Sequence, residues 1–419
     1  MFRIAIILGI ALILTPQVAQ AYIDPATGNA LLTLSITLLS ALLIGIQYLY
    51  DNFFLIKTRF SKSQKKVPLI VYSEGNIYWT VFEPILDELE KRKIKTEFYT
   101  SDKDDKVFNK KYEYIHPTFI GAGNKGYFAM SFVKADVVLM TTPGLDVYQM
   151  KRSKFVRKYA HVFHGLGDGC DYRLFGLDYY DTLLMDNEIN KTYVRELEKK
   201  RHLPAKNLVT VGCILLDRLK TKLKNNQPID KANPTVLVAP SWGKQSLLYR
   251  HGDELLENLI KQNYKIVVRP HPQTKIDNPE LLERLKNKFA YYDKLEWNYD
   301  IDNMQVMADS SIMISDFSGI VLEYAFVFKK PVIVFNQKID VSIYDAADLD
   351  EPTWKLKVTD EFGKRIGEED IPHIHQIIQS FMNTDISSKI DKISQKYWME
   401  QGKCVENIVD YLEKEIGAN

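Results

Sequence analysis

Ile312-Met313-Ile314-Ser315-Asp316-Phe317-Ser318-Gly319-Ile320-Val321-Leu322-Glu323-Tyr324-Ala325 opens on a short apolar run and ends on apolar residues at helical spacing. The spacing predicts a buried strand ending at Ser315, a polar turn, and a helix starting near Ser318, with Ser318 as its cap. Strand, turn and helix in succession are the unit of a parallel α/β sheet. The first N–H groups of such a helix attract phosphate. Ser315, Asp316, Ser318 and Gly319 are therefore candidate phosphate-binding residues. Glu323, one turn on, is placed to accept hydrogen bonds from a ribose.

The same pattern extends in both directions. Strands are predicted at Thr235–Ala239, Lys265–Arg269 and Val332–Phe335, with helices at Glu254–Asn263, Asn278–Lys288, Asp302–Ala308 and Ile320–Phe328. Upstream, strands are predicted at Val67–Tyr72, Thr96–Thr100, Val137–Thr141, Ala160–His164, Thr182–Met185 and Leu208–Val211. Helices fall at Trp79–Lys93 and Glu188–Lys199, and the stretch Ser387–Ile416 is amphipathic and helical. Between the two series, Lys222–Pro234 is polar and contains Asn233-Pro234, which suits a linker. The division expected is 67–228 for the first Rossmann-like α/β domain and 229–419 for the second, with the C-terminal helix. Two such sheets place ligands at the carboxyl ends of their strands, in the cleft between domains.

Composition narrows the function classes. Lys plus Arg is 55 against 54 Asp plus Glu, so the basic excess of a nucleic-acid binder is missing. The 3 cysteines, Cys170, Cys213 and Cys404, form no CxxC pair, which argues against a zinc module or a disulfide framework.

The N-terminus predicts a membrane device. Arg3 precedes an apolar run from Ile4 to Leu14, and Ala19-Gln20-Ala21 is a cleavage pattern, so 1–21 is expected to be a signal peptide or first membrane helix. Ala30–Tyr50 carries no charge and matches the roughly 20 residues of a spanning helix, giving an expected anchor over 22–56. Lys57, Arg59, Lys62, Lys65 and Lys66 follow in a basic juxtamembrane linker, 57–66. That charge placement predicts an inner (cytoplasmic) membrane location with the rest of the chain facing the cytoplasm.

Two further segments carry chemistry. Tyr159-Ala-His161-Val-Phe-His164-Gly165-Leu-Gly167-Asp168-Gly169 ends a strand in a glycine-rich turn. Imidazole transfers protons near neutral pH, so His164 is a candidate base. Gly165 and Asp168 would line the same side, as would Thr142 in the Thr141-Thr142-Pro143-Gly144 turn. His161 lies on the opposite strand face, which counts against a metal cluster of His161, His164, Asp168 and Asp171. Val267-Val268-Arg269-Pro270-His271-Pro272 runs a strand into two prolines, which hold Arg269 and His271 in a rigid turn suited to phosphate. Ser241, in Ser241-Trp242-Gly243-Lys244, is a candidate nucleotide contact, and Lys151, Arg152, Lys154 and Arg157 form a basic stretch. His373-x-His375 reads as surface helix.

His164-Gly165, Arg269-Pro270-His271-Pro272 and Ser315-Asp316-Phe317-Ser318-Gly319, in this order and followed by Lys330-Pro331-Val332-Ile333-Val334-Phe335, resemble the CDP-glycerol glycerophosphotransferase family, which includes the teichoic acid primases and polymerases. The family's first motif continues His-Gly-Thr-Pro-x-Lys, whereas this chain has His164-Gly-Leu-Gly-Asp-Gly, and Gly319 stands where a second serine is common. The resemblance implies a GT-B type α/β fold, two Rossmann-like doubly wound domains facing a cleft, here preceded by the membrane segment. It implies transfer of glycerol phosphate from CDP-glycerol to a lipid-linked or cell-envelope polymer hydroxyl, releasing CMP, with no cofactor or metal. His164 would be the base, with His271 and Arg269 on the diphosphate. An ionised Asp316 would repel phosphate and is expected to organise its loop or to bind a hydroxyl. A nucleotide-sugar glycosyltransferase or epimerase, or a non-catalytic membrane-anchored scaffold, would share the architecture.

Overall fold

The computed structural model describes residues 25–50, 65–167, 170, 172–223, 232–300, 302–336 and 341–417. By its internal contacts the chain divides into residues 1–64 and 65–419.

In the first unit, a helix spans Pro25–Leu49. Proline suits its first turn, where an N–H has no helical partner. Leu34, Leu38, Leu42 and Ile44 are exposed on it. Among the described residues no helix is long and apolar enough to cross a membrane. This overturns the expected anchor over 22–56, the membrane segment of the expected fold, and the inner-membrane location. The signal-peptide reading of 1–21 and the basic residues Lys57, Arg59 and Lys62 lie outside the described residues.

The second unit contains two parallel sheets with helices on both faces. The first has seven strands: β1 (Val67–Ser73), β2 (Thr96–Thr100), β3 (Ile115–Phe119), β4 (Ala135–Met140), β5 (Val156–Val162), β6 (Thr182–Met185) and β7 (Asn207–Thr210). Their order is β3-β2-β1-β4-β5-β6-β7. The second has six: β8 (Thr235–Val238), β9 (Lys265–Val268), β10 (Leu295–Trp297), β11 (Ile312–Ser315), β12 (Val332–Phe335) and β13 (Gly363–Ile366), ordered β10-β9-β8-β11-β12-β13. Central strands are continuous apolar runs because helices cover both of their faces. All six residues of β4 are buried, with Val138 in register with Ile70 of β1 and Tyr159 of β5.

Both sheets reverse direction at one point, between β1 and β4 and between β8 and β11. Crevices at the carboxyl ends of strands beside such reversals are where open α/β sheets bind ligands. The segments that follow β8, β9 and β11 are Ser241–Lys244, Arg269–Pro272 and Asp316–Gly319.

The sequence expectation placed the last helix in the second domain. Instead, Ile408, Val409 and Leu412 of helix Cys404–Gly417 join Ile85, Leu89 and Val137 in the core of the first sheet. Tyr411 donates to Thr182 Oγ1 at 2.8 Å. The return crossing is pinned by the Asp217 carboxylate, which accepts from Trp398 Nε1 (3.0 Å), Gly402 N (2.8 Å) and Cys404 N (3.1 Å). Most of the expected linker lies outside the described residues.

Candidate active site

The donor-side turns are held together by Asp316. Its carboxylate accepts from Ser241 N at 2.8 Å and from Leu247 N at 2.9 Å, the first residue of helix Leu247–Lys261. Burial raises its carboxyl above the usual carboxylate value, against the lowering effect of these N–H groups and that of Ser318. Both oxygens are thus committed to the loops after β8 and β11. Ser315 is also committed: it is fully buried, and its hydroxyl donates to the Ala239 carbonyl at 2.6 Å. It stitches β11 to β8 and is turned away from any ligand, contrary to its expected phosphate role. Ser241 is buried beside Asp316 and contributes its backbone N–H to the same arrangement.

Helix Ile320–Phe328 is preceded by Gly319, not Ser318, at the cap position, and no side chain caps it. The Ser318 hydroxyl makes no hydrogen bond among the described residues, so it remains available to a ligand. Gly319 has φ −61°, and a Cβ built there meets nothing within 4 Å. The position therefore has room for a side chain such as that of serine.

Beside this helix a cavity of about 330 Å³ is lined by Arg269, His271, Asn303, Ser318, Gly319 and Glu323. His271 caps helix Pro272–Asp277, its Nδ1 accepting from Gln273 N at 3.1 Å. That bond requires a lone pair on Nδ1, so the neutral ring carries its proton on Nε2. Burial lowers the imidazole below its usual pKa and so favours that neutral form, while the charge of Asp316 acts in the opposite direction. Trp242 stacks on the ring at 6.2 Å between centroids. Arg269 donates to Asn298 Oδ1 and, at 2.8 Å, to the Asp300 carbonyl. Asn298 in turn donates to Asp300 Oδ2 at 2.7 Å. The guanidinium is aimed by a loop that the sequence did not single out. Burial pushes the Glu323 carboxyl up to about 7, against Asn303, Arg269 and Lys355, so near neutrality it can accept or donate.

The first-sheet site forms after β5. His164 is exposed, and the Tyr172 hydroxyl lies 3.4 Å from its Nδ1. The same hydroxyl lies 3.2 Å from Nε2 of His161, which is fully buried. Burial, and then the charge of His164, push the His161 imidazole down to about 3, so it stays neutral. Tyr78 meets His164 edge-on at 5.6 Å. The glycine turn is fixed from below: Gly167 N donates to Asp186 Oδ2 at 3.2 Å, and Asn190 Nδ2 donates to the Gly167 carbonyl at 2.6 Å.

Other expected residues are placed differently. Gly165 has no left-handed backbone, and a Cβ there would make only an ordinary 3.7 Å contact with Leu215. Thr142 is buried, its carbonyl accepting from Tyr180 and its hydroxyl making no hydrogen bond among the described residues. Asp168 lies outside the described residues. The basic stretch is used internally: Arg152 pairs with Asp181 at 2.8 Å and Arg157 with Glu415 at 3.4 Å. A second cavity, about 450 Å³, opens at the ends of β1 and β2 against Asn76, Ser101 and Asp102.

The two halves meet through specific contacts. Leu166, beside the His164 turn, belongs to the apolar cluster holding Ala239, Val321 and Leu322. Arg173 bridges Tyr344, and Arg201 pairs with Asp178 at 2.8 Å, Asp345 at 2.8 Å and Asp348 at 2.6 Å. Lys330 closes the lower side of the second sheet, donating to Ala308 and Ser310 carbonyls at 2.5 and 2.7 Å. This accounts for a buried lysine ahead of the β12 strand.

Solved structures share this architecture. The UDP-GlcNAc 2-epimerase of Methanocaldococcus jannaschii matches 84% of this chain and 100% of its own, with 17% identity and a TM-score of 0.53. The Neisseria meningitidis UDP-GlcNAc 2-epimerase bound to UDP-GlcNAc matches 84% and 100%, with 15% identity and a TM-score of 0.54. A glycosyltransferase from Rickettsia africae matches 85% and 100%, with 14% identity and a TM-score of 0.50. These likenesses establish the two-sheet GT-B-like fold. No curated protein sequence matches the chain. The family model of CDP-glycerol:poly(glycerophosphate) glycerophosphotransferases matches residues 173–414, a span that includes Arg269, His271 and the 315–323 segment and begins after His164. That span is more than half of the chain, and the protein belongs to this family of transferases.

Proposed function

We propose that the protein transfers glycerol phosphate from CDP-glycerol to a hydroxyl of a polymer or lipid-linked acceptor and releases CMP. The observation that carries this reading is the cavity beside helix Ile320–Phe328, where Arg269, a neutral His271 and the Ser318 hydroxyl converge in a chain of this family.

In the proposed reaction the acceptor oxygen bonds to the phosphorus that bears glycerol. The bond from that phosphorus to the bridging oxygen breaks, and the bridging oxygen leaves on CMP with the electron pair. The acceptor proton goes to Nε2 of His164. For that nitrogen to be free, Nδ1 must carry the ring proton and donate to the Tyr172 oxygen, while Tyr172 donates to His161. Their separations of 3.4 and 3.2 Å support such a chain. On the donor side, Nε2–H of His271 and the guanidinium of Arg269 face the growing charge on CMP, where preorganised donors act most strongly. The helix N-terminus adds its dipole. Glu323 would take a ribose hydroxyl.

The test is CMP release from CDP-glycerol by the purified full-length protein, with a poly(glycerophosphate) acceptor, beside CDP-ribitol and UDP-sugars. Acceptor-dependent CMP release supports the reading. Turnover of a UDP-sugar alone would move the assignment to a glycosyltransferase or epimerase.

A further inference from the structure

Away from the cleft, helix Leu247–Lys261 and the turn Glu368–His373 pack side by side. At their contact stand His251, Glu254 and Glu368, each with one ligand atom within 4.8 Å of the others. His251 and Glu254 are three apart on the helix and so share a face. Glu368 arrives from the far end of the sheet, just after β13.

His251 is 8% exposed, and its ring nitrogens make no hydrogen bond among the described residues. Its ring lies 4.6 Å from that of Phe335, which supports one face. One of its ring nitrogens lies within 4.8 Å of a carboxylate oxygen of each glutamate. Neither Glu254 nor Glu368 forms an ion pair among the described residues. Two unpaired carboxylates and an unpartnered imidazole thus converge from two elements far apart in sequence.

We propose that His251, Glu254 and Glu368 bind a divalent transition-metal ion, of the zinc class, as a structural clasp. One imidazole nitrogen and two carboxylate oxygens form a donor set suited to a borderline ion. Two such ligands on one ion stand roughly 3.4 Å apart in tetrahedral geometry. Rotamer changes of the two solvent-accessible glutamates would close the remaining gap, with water filling the fourth position.

The clasp would fix the first turns of the helix whose initial N–H, that of Leu247, is held by Asp316. It is independent of the proposed reaction, and its test does not use activity. Full-length protein freed of metal with EDTA is titrated with ZnCl2 by calorimetry, and its melting is followed with and without the ion. The expected result is one tight site, a rise in melting temperature, and at least a tenfold loss of affinity in Glu368→Ala and Glu254→Ala. Both positions reach solvent, so these variants fold. His251→Ala loses the site, and His373→Ala, on the exposed turn nearby, retains it. Absence of a stoichiometric site, or one that survives both glutamate substitutions, overturns the proposal.

Discussion

The Tyr172 hydroxyl lies 3.4 Å from Nδ1 of His164 and at the same time 3.2 Å from a buried, neutral His161. In the proposed reaction Tyr172 would set which nitrogen of His164 carries the proton, from a turn eight residues further along the chain. Tyr172→Phe removes the hydroxyl and keeps the ring. It is expected to lower kcat about tenfold, equivalent to about 1.4 kcal/mol, with little change in the KM for donor. The acidic limb of the pH–rate profile, set by the base, should also move. An unchanged profile would make Tyr172 a packing residue only.

Asn190 joins the two sheets. Its amide donates to the Gly167 carbonyl at 2.6 Å and accepts from Trp354 Nε1 at 2.6 Å. Asn190→Leu leaves both partners buried without a hydrogen bond, at a cost of about 2–4 kcal/mol. Thermal unfolding should shift down by several degrees, and turnover should fall as the His164 turn loosens.

The carboxyl of Glu323 is raised to about 7 by burial. In the unfolded chain it titrates near 4.5, so between these values the folded state binds the extra proton. Stability from this group is therefore greatest at low pH and is lost as pH rises through about 7. Glu323→Gln should flatten the change in melting temperature between pH 5 and pH 8, raising stability relative to the native chain at pH 8. If Glu323 meets a ribose hydroxyl, CDP-glycerol should hold the native chain's advantage in donor affinity over the variant.

Two substitutions separate space from chemistry on the donor side. Gly319→Ser places a hydroxyl where a Cβ meets nothing within 4 Å and should leave the fold and donor affinity near native. His271→Gln keeps an N–H donor at the cavity, so its loss of CMP release should be smaller than that of His271→Ala. Equal losses in a steady-state assay would show that the ring's shape, and not its proton, matters.

Much of the architecture was legible because central strands are apolar runs followed by turn residues: β6, β11, β12 and helix Ile320–Phe328 have the boundaries that the sequence predicts. Of the four edge strands, β7 was predicted within one residue and the other three were not. β3 carries His116 and Pro117, β10 is three residues long, and β13 is Gly-Lys-Arg-Ile, so half-exposed positions hide their period. Proline is tolerated there because an edge strand has one free side. In the site, His164, Arg269 and His271 stood out by residue type after strand ends. Ser315 was misassigned because position after a strand does not reveal whether a hydroxyl faces the crevice or the neighbouring strand. Tyr172, Asn190, Asn298 and Asp300 were invisible because nothing in their local sequence shows which site residue or turn they meet in the fold. The uncharged N-terminal stretch suggested an anchor from composition alone, whereas no helix among the described residues is long and apolar enough to cross a membrane.

The most direct measurement is acceptor-dependent CMP release from CDP-glycerol by the full-length protein, with His164→Ala and His271→Ala assayed beside it. Removing a general base costs on the order of 10²–10⁴-fold. The account predicts a loss of that size for His164→Ala with donor affinity retained, and a loss that includes weaker donor binding for His271→Ala. Undiminished transfer in His164→Ala would contradict the account.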